Sequence, residues 1–331
     1  MRSLEGAALR SRIEAFEDVI DRDVGDTDLV RARNLERRYG LSQLYLKFEG
    51  GNPTGTQKDR IAFAQVGDAL RRGFDRVVVA SCGNYGAAIA LACQHAGLAC
   101  EVVLPATYKA PREGEIRSLG AEVVRLGADY EASVVLARRR AAESDAYDAN
   151  PGGENVIVQL NAYGQIATEL YDELRDAPRA VAISVSNGTT LAGIWRGFER
   201  LERRGRVSRR PWMIAGSTFR KNPIIAAWKA GRSDCPDLEP SSARETAVNE
   251  PLVNWHAEDG EQTIAALRAS GGFAGDVTDR QMRTLAREVR TLQGLDVQPA
   301  STAGLAALLQ RHAAEPLPPD RYVAVLTGRN G

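Results

Sequence analysis

Lysine is scarce in this chain. Among 43 basic residues in a length of 331, only Lys47, Lys58, Lys109, Lys221 and Lys229 are lysines, so chemistry that needs a side-chain amine has few candidates. Histidine and cysteine are scarcer. His95, His256 and His312 are scattered, and Cys82, Cys93, Cys100 and Cys235 form no CxxC pair, which excludes the usual spacings of a structural zinc site. An excess of charge is also missing. The 43 basic residues balance 43 acidic ones, leaving no electrostatic footprint for nucleic acid. No apolar run approaches a membrane span. The opening residues, Met1 to Gly6, lead into charged, helix-like sequence with no apolar signal core. These absences describe a reduced, cytoplasmic protein whose partner is a small molecule, with no nucleic acid and no membrane.

What is present is an ordinary globular balance, 44% hydrophobic and 26% charged, over a length that fits one large α/β domain or two lobes. Short β-branched runs alternate with helical patterns. Strands are expected at 43–48, 76–80, 100–104 and 122–126, and helices at 58–72, 85–96 and 130–143, with a short helix opening at Pro111. That order is the signature of a parallel sheet covered on both faces. The turn-rich stretch 148–154 marks a lobe boundary. Beyond it, strands are expected at 156–160, 180–185, 212–215 and 322–326. Helices are expected at 165–174, 191–204 and near 261–269, 279–292 and 301–313, with 232–260 irregular.

Three loops carry chemistry, and in open parallel sheets ligands collect where strands end. Asn52-Pro-Thr-Gly-Thr-Gln-Lys58 places a lysine in a first helical turn. There it opposes the helix dipole by a few tenths of a kcal/mol. The plain reading is a solvated lysine. The chemical reading is an amine of depressed pKa that forms a Schiff base with an aldehyde. Ser81-Cys82-Gly83-Asn84-Tyr85-Gly86 follows a buried strand. Its glycines let backbone approach a ligand, and the next helix offers N–H groups to a carboxylate, with Asn84 able to bond a phenolate oxygen. The alternatives are a tight turn, a weak dinucleotide loop, or Cys82 as a nucleophile without a nearby histidine. Ser186-Asn187-Gly188-Thr189-Thr190 exposes donors at a helix start, either an anion site or an ordinary N-cap turn. Together the three loops supply an amine, a place for a carboxylate and ring hydroxyl, and a phosphate cradle, which is the inventory pyridoxal phosphate (PLP) needs.

NPTGTQKDR resembles the NPTGSxKDR lysine motif of PLP-dependent threonine synthases in the tryptophan synthase β superfamily. SCGNYG resembles their S-x-G-N-x substrate loop, and the terminal VAVLTG resembles the strand that presents a hydroxyl to the pyridine nitrogen. The similarity runs through residues 40–331 with the motifs in the family's order. It implies α/β PLP fold type II, two lobes each built on a mostly parallel twisted sheet flanked by helices, with the cofactor between them. Residues 1–55 and 151–331 would form the larger lobe and 56–150 the smaller. It also implies a homodimer acting on a small amino acid. By the same resemblance Lys58 carries the cofactor and moves protons, and Asn84 bonds its ring oxygen. Ser81, Cys82, Gly83, Asn84 and Tyr85 hold the substrate carboxylate. Ser186, Asn187, Gly188, Thr189 and Thr190 hold the phosphate, and Thr327 faces the ring nitrogen. Gln159 assists a carboxylate, as a similarly placed glutamine does in cysteine synthases.

The pattern departs from a threonine synthase where substrate phosphate is concerned. The family's N-P-x-R-x-E-G-Q stretch is shortened here to Asn161-Ala-Tyr-Gly-Gln165, without the arginine. Losing a charge-assisted contact of that kind costs about 2–3 kcal/mol. Arg60 and Arg112 are candidate replacements. Cys82 replaces a hydroxyl residue, Tyr85 stands where a small hydroxyl is usual, and Gln57 replaces an aromatic. The expected activity is elimination or replacement at Cβ or Cγ of a small amino acid, threonine synthase-like. The alternatives are a cysteine synthase-like β-replacement, a serine or threonine dehydratase, or a non-catalytic PLP-binding regulatory protein.

Overall fold

The computed structural model describes residues 2–81, 83–107 and 110–330, with side chains from Ala8 onward. In chain order its helices are α1 (Arg2–Asp23), α2 (Arg33–Tyr39), α3 (Lys58–Arg71), α4 (Asn84–Ala96), α5 (Glu113–Ser118) and α6 (Tyr130–Glu143). Then come α7 (Val156–Leu174), α8 (Thr189–Arg203), α9 (Pro223–Lys229), α10 (Gly260–Ser270), α11 (Asp279–Gln293) and α12 (Ala303–Ala314). The strands are β1 (Leu29–Arg31), β2 (Leu44–Phe48), β3 (Arg76–Ala80), β4 (Ala99–Leu104) and β5 (Glu122–Arg125). They continue with β6 (Tyr147–Asp148), β7 (Ala180–Ser184), β8 (Trp212–Thr218), β9 (Phe273–Val277) and β10 (Tyr322–Leu326). Contacts divide the chain into two compact units, Met1–Gly25 with Asn52–Gln159, and Asp26–Gly51 with Leu160–Gly331.

The first unit is built on a four-stranded, all-parallel sheet in the order β5-β4-β3-β6. Val77, Val78, Val79 and Ala80 have no exposed surface, because a parallel strand covered on both faces needs apolar side chains on both. Helix α4 is rich in alanine, and Ala87, Ala88, Ala90 and Ala92 are buried beside α3. The N-terminal helix also belongs to this unit, not to the larger one as the sequence suggested. Phe16 stacks on Phe63 with centroids 5.7 Å apart, Arg12 donates to Ala96 O at 2.9 Å, and Arg71 pairs with Glu17 at 3.0 Å.

The second unit holds a six-stranded sheet in the order β1-β2-β10-β7-β8-β9, antiparallel only between β1 and β2. Its core joins Leu44, Leu46, Ala324 and Leu326 of the sheet to Leu305 and Leu308 of α12. Helices α7 and α8 cross closely. A Cβ on Gly197 would lie 2.5 Å from Gly164 O, so only glycine permits the approach.

The stretch 156–160 is helix, not strand. Val156 N bonds Gly153 O and Val158 N bonds Asn155 O, which starts α7 nine residues before its expected beginning. A short apolar run cannot by periodicity choose between strand and helix. Here Ile157 is 48% exposed, a position no sheet face covers. The change of unit falls between Gln159 and Leu160 instead of in 148–154.

Candidate active site

Beyond the short turn at 49–51 the chain enters the first unit and folds through Asn52 to Gln57 into α3. Gly55, at φ +86°, bonds back to Asn52 O at 2.8 Å. Lys58 is the first residue of α3, with its N–H on Thr56 Oγ1 at 3.2 Å. It keeps part of its surface accessible while its amine is enclosed, and that loss of hydration lowers its pKa to about 8. An amine so lowered is a competent nucleophile toward an aldehyde. Its neighbour Asp59 is fully buried. Burial pushes its pKa up to about 6, against the pull of hydrogen bonds from Thr54 N and Oγ1 at 2.9 and 3.0 Å and of the nearby Arg112 charge.

The asparagine loop follows β3 in the same unit. Ser81 Oγ accepts from Gly86 N at 2.8 Å and so closes the turn, while Ala80 N is held by Asn150 Oδ1 at 2.8 Å. A Cβ on Gly83 would meet nothing within 4 Å, so backbone there is open to a ligand. Asn84 begins α4, and its Oδ1 accepts from Arg112 Nη1 at 2.9 Å. Tyr85 turns its ring inward, where the phenol donates to Ala149 O at 2.7 Å beside buried Gln65. Gln159 is fully buried, its Nε2 donating to Asn150 O at 3.1 Å. Cys82, expected at this loop, lies outside the described residues.

In the second unit, Ser186 to Thr190 link β7 to α8, whose first-turn N–H groups have no partner within the helix. Gly188 sits at φ +93°. Three groups hold this loop from below. Asn222 Nδ2 donates to Ser186 O at 3.0 Å, Asn254 Nδ2 donates to Asn187 Oδ1 at 3.0 Å, and Asp259 N donates to Asn187 O at 3.0 Å. Thr189 Oγ1 donates to the buried Asp259 carboxylate, whose pKa is raised by burial. Thr327 follows β10, the parallel neighbour of β7, so Thr327 and the 186–190 loop lie at the same C-terminal end of the strands. Asn222, Asn254 and Asp259 escaped the sequence reading. Two of them lie in the aperiodic stretch 232–260, and none falls in a motif.

Of the two candidate arginines, Arg112 is engaged by neighbouring side chains and backbone. Arg112 bonds Asn84, Thr54 O at 3.2 Å and both oxygens of Glu115 at 2.7 Å, and Arg60 is buried. Within α7, Asn161 and Gln165 face solvent, while Gly164 serves helix packing. The matched residues of the shortened motif therefore form an ordinary helix face. Among the described residues no group of three His, Cys, Asp or Glu is placed to hold a metal ion, and no helix is long and apolar enough to cross a membrane.

Each unit by itself carries donors of a kind PLP needs: the first an enclosed amine of lowered pKa and an amide at a helix start, the second a helix N-terminus with a left-handed glycine and a neutral hydroxyl after the neighbouring strand. Fold and site together define an α/β enzyme of PLP fold type II. A family model described as pyridoxal-phosphate dependent enzyme matches residues 20–328, and the chain belongs to that family. It is 29% identical over 286 residues to threonine synthase of Methanosarcina acetivorans, covering 86% of this chain and 69% of that protein. It is 29% identical over 309 residues to threonine synthase of Methanocaldococcus jannaschii, covering 92% and 74%. The solved structure of a T.th. threonine deaminase shares the fold, with a TM-score of 0.77 at 24% identity over 97% of this chain and 98% of that one.

Proposed function

We propose that this chain is a threonine synthase-like lyase that catalyses elimination or replacement at Cβ or Cγ of a small amino acid. The observation that carries this reading is Lys58, an enclosed amine at the start of α3 whose pKa is lowered to about 8. When bound, the cofactor supplies an electron sink for negative charge developing at the substrate Cα. Lys58 would bear the cofactor; once the substrate's own amine has displaced it, the freed Lys58 amine would take the proton from Cα and return one as the leaving group departs. Asn84 donates to the cofactor's ring oxygen. Backbone groups of Ser81, Cys82, Gly83 and Tyr85 would hold the substrate carboxylate, with Gln159 assisting. Ser186 to Thr190 hold the cofactor phosphate. Thr327 would offer the ring nitrogen a neutral hydroxyl, which does not force protonation there. A neutral hydroxyl at that place would favour loss of a leaving group over transamination.

The reading extends to a cytoplasmic homodimer. The free thiols of Cys93, Cys100 and Cys235 support the reducing compartment, and the family resemblance supports the dimer.

A second reading is favoured by the solvent-facing positions of Asn161 and Gln165 and by the commitment of Arg112, which leave no arginine assigned to a substrate phosphate. It is β-replacement or dehydration of serine, threonine or an O-activated serine. The PLP-loaded protein should be screened with O-phosphohomoserine, O-acetylserine, O-phosphoserine and threonine. Threonine formed from O-phosphohomoserine alone removes the second reading. Turnover of O-acetylserine or threonine without it selects the second. Cofactor uptake with no turnover of any of them overturns the lyase and leaves a binding protein.

A further inference from the structure

We infer that Arg112 is a positioning residue that fixes which face of the Asn84 amide is presented to the cofactor. The inference rests on the reading that Asn84 donates to the ring oxygen. An asparagine amide has an accepting and a donating branch of nearly equal shape, and rotation by half a turn exchanges them. A guanidinium has donors only, so it selects the oxygen. Arg112 Nη1 donates to Asn84 Oδ1 at 2.9 Å, which turns Nδ2 to the other side of the amide as a ready donor. The guanidinium is itself held in plane. Nε and Nη2 grip Glu115 Oε2 and Oε1, each at 2.7 Å, and Nη2 also reaches Thr54 O at 3.2 Å. One side chain thus ties the asparagine loop to the turn that leads into Lys58.

Lysine could not replace this fork. Its single ammonium would keep the charge near Glu115 but could not span Glu115, Asn84 and Thr54 O in one plane. Losing the constraint leaves Asn84 free to offer its oxygen to an oxygen, which weakens cofactor binding and moves the pH midpoint of the cofactor's visible band.

The test is a double-mutant cycle on the full chain with Arg112→Ala, Asn84→Ala and the double variant, together with Arg112→Lys. The readouts are the equilibrium affinity for PLP, the pH midpoint of its visible band, and thermal melting of each apoprotein. Each single alanine variant is expected to lose affinity by about tenfold, the worth of one hydrogen bond, with the double variant no worse than Asn84→Ala. A double variant that loses about a hundredfold, as independent sites would, overturns the inference. So does an Arg112→Ala variant with wild-type affinity and midpoint. If Arg112→Ala fails to fold, Arg112→Lys decides. A shifted midpoint supports orientation by the fork, and a wild-type midpoint assigns the effect to charge and overturns it. A wild-type chain that takes up no PLP sinks the reading of Asn84 itself, and this inference with it.

Discussion

Gly188 and Thr263 pack so closely that a Cβ on the glycine would lie 2.1 Å from Thr263 Oγ1. The same glycine sits at φ +93°, a conformation costing other residues about 1–3 kcal/mol. Gly188→Ala therefore carries both strain and a clash. It should lower the urea midpoint of the apoprotein and release PLP on dialysis. Adding Thr263→Ala should restore part of the loss, because the closest contact goes while the strain and the 3.0 Å contacts to Thr263 Cβ and Ile224 Cδ1 remain. Equal losses in the single and double variants would show that the contact is irrelevant.

Asp59 supplies a pH-dependent term. Its carboxyl is raised from about 4 to about 6 by burial, so between those values the folded chain holds a proton that the unfolded chain has lost. Stability from this group is complete below about pH 4 and falls as pH rises through 6, by about 3 kcal/mol in all. Asp59→Asn keeps an oxygen for the Thr54 donors and abolishes the titration. In urea unfolding of the apoproteins, the variant should gain on the wild type from about pH 4 to about pH 6 and level off by about pH 7. A difference that stays flat across that range would mean the carboxylate is hydrated.

Lys58 titrates in the opposite sense. With its pKa lowered to about 8, the folded chain gives up that proton before the unfolded chain does, so this group adds stability as pH rises from about 8 to about 10. At pH 7 about one amine in ten is neutral, against about one in three thousand for an unperturbed lysine. The rate at which apoprotein captures PLP should rise through pH 8 and level off above about 9. A rate that keeps climbing tenfold per unit to about pH 10 would place the amine in water.

The fold was largely legible because its strands are short β-branched runs bounded by turns. RVVVA at β3 and YVAVL at β10 fell where the pattern put them. Strand β9, Phe-Ala-Gly-Asp-Val, was not legible: its pairing with β8 comes from tertiary context, not from residue preference. The helix at Val156 was misread because a stretch of five with four apolar residues suits either state. At the site, Lys58, the asparagine loop and the loop after β7 announced themselves as motifs. Arg112, Asp259 and the paired Asn222 and Asn254 did not. They act through side-chain hydrogen bonds between segments far apart in sequence, which neither spacing nor periodicity records.

The amine of Lys58 as carrier of the cofactor can be tested most directly. Wild-type and Lys58→Ala proteins should be loaded with PLP, freed of excess ligand, and compared by visible absorption, with mass spectrometry after borohydride reduction. The wild type should be yellow and keep a cofactor adduct on the peptide that contains Lys58. The variant should lose the band and carry no adduct. A wild-type protein that stays colourless, or an adduct that persists on another residue in Lys58→Ala, would contradict it.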